Sequence, residues 1–130
     1  MLAIDTNVVV RLLVADDPVQ AEAARDLVER EDVLVSATVL LEAEWVLRSA
    51  YGLDRSAVLQ TLSAFCGLSH VVLAEPDRVA MAIAWALAGL DVADALHLAG
   101  AAGCEAFVTF DRRLFQAAAR VPTAPAVRLA

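Results

Sequence analysis

Residues 1–13 read MLAIDTNVVVRLL. A short apolar run stops at Asp5-Thr6-Asn7, and a segment with helical apolar spacing begins there. A buried strand that passes straight into a helix is the start of a β–α unit, and the rest of the chain repeats the pattern. LAID (2–5) reads as the strand and residues 7–14 as the helix. Asp16-Asp17-Pro18 opens a second helix, running to about Arg30 with proline in its first turn. VLV (33–35) is a second strand, and Ser36 or Thr38 caps a helix that reaches about Tyr51, where Gly52 stops it. Residues 55–66 read as a helix, 70–74 as a strand, and about 76–89 and 92–102 as helices, the last ended by Gly103. A strand at 106–110, a helix from Asp111 to about Arg120 and a strand at 126–129 complete the series. Short continuous apolar strands alternating with helices predict an α/β fold whose parallel sheet is covered on both faces.

At 130 residues the chain is expected to form one domain, residues 1–130. Its longest apolar run, VAMAIAWALAGL (79–90), is bounded by Arg78 and Asp91. That is short of the roughly 20 residues a membrane span needs, so it reads as a buried helix or half of a subunit interface. The first residues carry neither a basic segment nor a small-residue cleavage site, and a cytoplasmic protein is the expectation. Cys66 and Cys104 have no CxxC or CxxH neighbours, which argues against zinc and against a disulfide framework; buried free thiols are expected. The net charge is −7 and every basic residue is an arginine. Such a balance does not resemble a DNA-coating protein, whose binding is driven by a basic face. Nucleic acid remains open, because cations bound among clustered acids cancel local repulsion and arginines grip phosphates bidentately.

The acids must be weighed one by one. Strands of a parallel sheet end on one edge, and ligands bind just beyond it. Asp5 and Asp111 each follow a strand, which directs both toward one crevice, although each also sits where a helix cap belongs. In VLLEAEWVLR (39–48) the spacing makes Val39, Leu40, Ala43, Val46, Leu47 and Ala50 a core stripe, with Glu42 and Glu44 on its two borders. Glu44 has Arg48 four residues on and reads as a surface pair. Glu42 has only Trp45 and Val46 at those spacings, so it is the better site candidate. GLDVADALHLAG (89–100) puts Asp91 and Asp94 on one face of a helix start, where the positive terminus favours both. His97 lacks an HxxxH or HxH partner and reads as a packing or hydrogen-bonding residue, while His70 carries no signal. Clustered carboxylates need cations to stay ionised together. All-oxygen ligation selects Mg²⁺ or Mn²⁺, the usual apparatus for hydrolysing phosphodiesters: it activates water and stabilises the leaving oxygen.

The ordered set DTN (5–7), ExxWVL (42–47), DVADALHLA (91–99) and VTFD (108–111) resembles PIN-domain ribonucleases, and more narrowly the VapC-type toxins of bacterial toxin–antitoxin pairs. The resemblance covers essentially the whole chain. It implies a three-layer α/β/α fold with a mostly parallel sheet of about five strands. It also implies Mg²⁺-dependent endoribonuclease activity on RNA, with Mn²⁺ able to substitute, a homodimer, and inhibition by a cognate antitoxin of a type II system. By motif, Asp5, Glu42, Asp94 and Asp111 are the expected catalytic, metal-binding acids, with Asp91 as an accessory ligand. Asn7 matches the residue that orients Asp5, and Thr109 the hydroxyl before the last acid. A phosphoacceptor receiver domain would need a lysine, a dinucleotide-binding domain a glycine-rich first turn, and a dehalogenase-like phosphatase a second aspartate at position 7. The serious rival is a PIN-fold RNA- or protein-binding module that has lost catalysis.

Overall fold

The computed structural model describes all 130 residues and divides into two compact units, Met1–Pro76 and Asp77–Ala130. In the first unit the order is β1 (Leu2–Ala3), α1 (Thr6–Val14), α2 (Pro18–Arg30), β2 (Val33–Val35), α3 (Ala37–Ser49), α4 (Arg55–Cys66) and β3 (Val71–Leu73). The strands form a parallel sheet in the order β1-β2-β3, pairing Leu2 with Val33 and Leu34 with Val72. β2 is central, and its Val33 and Val35 are fully buried among Val9, Leu47, Val58, Leu59 and Phe65 of the core. Parallel neighbours require long crossovers, which the helices supply.

Each helix start in this unit is written in local chemistry. Asp5, Asp17, Ser36 and Asp54 are the N-caps of α1 to α4, each accepting a backbone N–H from the first turn. α1 ends with Ala15 in the left-handed region (φ 57°), its N–H returning to the Arg11 carbonyl. Arg11 then locks the corner: it donates to Gln20 (2.7 Å), Asp16 (3.0 Å) and the Tyr51 hydroxyl (3.2 Å), and Tyr51 donates to Asp16 (3.0 Å).

The second unit contains α5 (Pro76–Leu87), α6 (Val92–Ala99), β4 (Phe107–Thr109), α7 (Arg112–Ala119) and β5 (Val127–Leu129). β4 and β5 pair in parallel, with Val108 opposite Arg128. The five strands expected are thus present and parallel, hydrogen-bonded as a sheet of three and a sheet of two. The apolar run at 79–90 is a half-buried helix: Val79, Ala82, Trp85 and Ala86 are interior, whereas Leu87 is exposed. The buried Trp85 indole N–H donates to Thr123 Oγ1 at 3.0 Å. No helix is long and apolar enough to cross a membrane.

Four expectations need correction. α6 stops at Ala99 and not at about residue 102: Gly100 forms the cap, its N–H donating to the Leu96 carbonyl (3.1 Å), and the Arg78 guanidinium donates to that same carbonyl (2.9 and 3.0 Å). Gly100 suits that approach, since a Cβ there would lie 2.9 Å from an Arg78 nitrogen. Glu44 is not on the surface but 2% exposed. Its pair with Arg48 exists, at 2.6 Å, so the stripe on α3 is turned toward Glu44 and away from Ala50. Cys104 is exposed and Cys66 half-buried, both as free thiols. His97 is exposed and packs into no core, while His70 does have a partner, Asp32 at 2.9 Å.

Candidate active site

In the first unit, Asp5 sits at the corner between β1 and α1. Its Oδ1 accepts the Val8 N–H at 3.1 Å, so one carboxylate oxygen serves as cap while the exposed side chain retains further lone pairs. The amide that orients Asp5 is Val8's: no hydrogen bond joins it to Asn7, which lines a hollow of about 250 Å³ between α1 and α2. Glu42 is exposed on α3 and engages no hydrogen bond or ion pair. A solvated carboxylate there carries no burial cost, so the reason for its presence is not the unpaired border position that the sequence suggested.

The second unit brings three acids together. Asp91 caps α6, its Oδ2 accepting from Ala93 (3.1 Å) and Asp94 (3.4 Å). Asp111 caps α7, its Oδ1 accepting from Arg113 (2.9 Å) and Leu114 (3.2 Å), while the Thr109 hydroxyl accepts the Asp111 N–H at 3.0 Å. Asp94 rises from the first turn of α6. Together Asp91, Asp94 and Asp111 line a hollow of about 310 Å³, with Leu90, Arg113 and Leu114 among its walls. The electrostatics follow directly. Burial raises the Asp94 carboxyl above its ordinary range, the charges of Asp91 and Asp111 raise it further, and only His97 pulls the other way.

The PIN domain family model matches residues 2–121. The chain belongs to the PIN domain family. No curated protein and no solved structure was found to match it. PIN domains are generally nucleases, they usually use divalent metals, and PIN nucleases bind RNA.

In this PIN domain no three His, Cys, Asp or Glu side chains are gathered tightly enough to hold a metal ion by themselves. The donor set of the hollow nevertheless suits a hard cation. Mg²⁺ habitually keeps several waters and takes one or two carboxylates plus substrate phosphate, without a closed protein cage. The Asp94 carboxyl is raised first by burial and then by the charges of Asp91 and Asp111, both of which a bound cation would offset. Arg113 is the wall residue that sequence reasoning missed. A signal for it existed in FDRRLF (110–115), because arginines in the first turn of a helix oppose its dipole and local stability does not ask for them.

Proposed function

We propose that this PIN domain is a Mg²⁺-dependent endoribonuclease, active also with Mn²⁺, and a VapC-type toxin that dimerises and is restrained by a cognate antitoxin. The observation that carries the catalytic half is the hollow of Asp91, Asp94 and Asp111, in which Asp94 is driven toward its neutral form by burial and by two like charges. A cation bound among such acids supplies a water acidic enough to attack at neutral pH and charge to stabilise the transferring phosphoryl group. Asp94 and Asp111 hold that cation, Asp91 assists, and Asp5 and Glu42 serve the same reaction with oxygens that local structure leaves available. Water as the nucleophile leaves a 5′-phosphate and a 3′-hydroxyl. The toxin half is supported by the order and spacing of the DTN, ExxWVL, DVADALHLA and VTFD motifs, and we take residues 1–130 to work as one domain.

The test is to incubate the protein with a pool of cellular RNAs, with Mg²⁺ or with EDTA, and to sequence the cut ends. Cleavage that requires the metal and leaves 5′-phosphates is expected. Full cleavage after chelation, or 2′,3′-cyclic phosphate ends, would overturn the mechanism. RNA that is bound but never cut would identify a binding module instead. A short neighbouring reading frame with a basic DNA-binding end would support the toxin assignment.

A further inference from the structure

The charge of the chain is unevenly placed. Met1–Pro76 contains twelve acids and five arginines, which accounts for the whole net charge of −7. Asp77–Ala130 is balanced, with Asp77, Asp91, Asp94, Glu105 and Asp111 against Arg78, Arg112, Arg113, Arg120 and Arg128. Beyond Asp111 the chain has four arginines and no acid. All four are exposed and none forms an ion pair.

Two of them stand where helix physics disfavours them. Arg112 and Arg113 occupy the first turn of α7, at the positive end of its dipole. Arg113 lines the acid hollow, and so does Ala117 one turn on. Arg120, the C-cap residue of α7, follows Arg113 by seven positions, a spacing that at helical geometry brings it back to the same side about 10 Å along the axis. Ala117, which lies between Arg113 and Arg120 in sequence, has only a small side chain. Phe110, between Thr109 and Asp111, is 89% exposed, so its ring serves no core. Two unpaired arginines along α7, with an exposed aromatic residue just before its N-cap, match what single-stranded nucleic acid presents: regularly spaced phosphates and unstacked bases.

We propose that α7 and Phe110 form the surface that holds single-stranded RNA at the hollow, Arg113 and Arg120 taking backbone phosphates and Phe110 stacking under an unpaired base. This deepens the ribonuclease reading and rests on it. It also explains how a chain of charge −7 approaches a polyanion: the strand meets the unit that carries no net charge, through the helix that carries only positive charge.

Binding is measured with the full chain and a fluorescent single-stranded RNA in EDTA, across a series of salt concentrations, and cleavage is measured separately in Mg²⁺. Arg113→Ala with Arg120→Ala should weaken binding and reduce the slope of log affinity against log salt by about 0.7 for each phosphate no longer neutralised. Phe110→Ala should weaken binding about fivefold or more with the slope unchanged, and Phe110→Trp should restore it. Arg25→Ala, on exposed α2, should change neither. Unchanged affinity and slope in the arginine double variant, in a protein that still cleaves RNA, would overturn the surface and leave the nuclease reading intact. A wild type that cuts no RNA but binds it with this arginine and Phe110 dependence would do the opposite. Equal loss of binding to polyglutamate, with Phe110→Ala silent, would make the helix a general polyanion site and also overturn the proposal.

Discussion

Glu42 and Glu44 lie two residues apart on α3 and occupy different media, one solvated and the other 2% exposed against Arg48. Glu42→Gln should abolish RNA cleavage and leave the melting temperature unchanged, because an exposed carboxylate without partners contributes nothing to the fold. Glu44→Gln should keep most cleavage yet cost about 1 kcal/mol in chemical denaturation, more than the few tenths of an exposed pair. The amide still accepts from Arg48, which keeps the loss below that of an abandoned buried charge. If cleavage follows Glu44 and stability follows Glu42, the assignment is reversed. The cysteines make a similar contrast. Burial pushes the Cys66 thiol up to about 11, whereas Cys104 is exposed. In the native protein near pH 8, a disulfide reagent should therefore titrate one thiol quickly and release the second only on unfolding; two fast thiols would contradict this. Both pairs are half legible in the sequence. Spacing finds the Glu44–Arg48 partnership, but a helical wheel cannot tell which border of a stripe the next layer covers. Residue type alone favours burial for Cys104, against a turn position that exposes it.

Elements are the most readable level, because their ends are local. Asp17-Pro18, Ser36, Asp54 and Asp111 all cap where their chemistry says they should. The far end of α6 is less legible: its cap falls on Gly100 and not on Gly103, and Arg78, eighteen residues upstream of the Leu96 carbonyl it binds, packs against that cap in a contact no local pattern announces. Gly103, the expected stop, still adopts a positive φ of 86°, in the turn that follows. α1 offers a quantitative test. Ala15 holds a left-handed conformation that costs an L residue about 1–2 kcal/mol. Glycine removes that strain but loosens the unfolded chain by about 0.4–1 kcal/mol. Ala15→Gly should therefore stabilise the protein by about 0.5 kcal/mol, read as a higher denaturant midpoint with the slope unchanged. A lower midpoint would mean that the strain is not borne in the native state.

For the whole molecule, the acid hollow sets a stability cost that cations and protons both relieve. The native Asp94 carboxyl binds its proton more tightly than the unfolded chain does. Its contribution is therefore favourable at low pH and is lost as pH rises from the ordinary aspartate value, about 3.9, through the raised native value. In EDTA, Asp94→Asn should gain melting temperature over the wild type as pH increases through that window, and Mg²⁺ should raise the wild type more than the variant. Parallel curves for the two proteins at all pH values, with equal Mg²⁺ responses, would remove Asp94 from any cation site. The acids of the hollow are visible in the sequence as an ordered set following strands and opening helices, whereas its arginine wall is not, because only folding turns Arg113 toward Asp94. The two indoles extend the description into optics. Trp85 is 4% exposed and tied to Thr123, and Trp45, in the other unit, is 58% exposed. Trp45 is already the more solvated indole, so most of the red shift of fluorescence expected on unfolding comes from Trp85 and reports the Asp77–Ala130 unit. If residues 1–130 unfold as one domain, that shift and the loss of far-ultraviolet circular dichroism will share one midpoint; separate midpoints would mark two cooperative bodies.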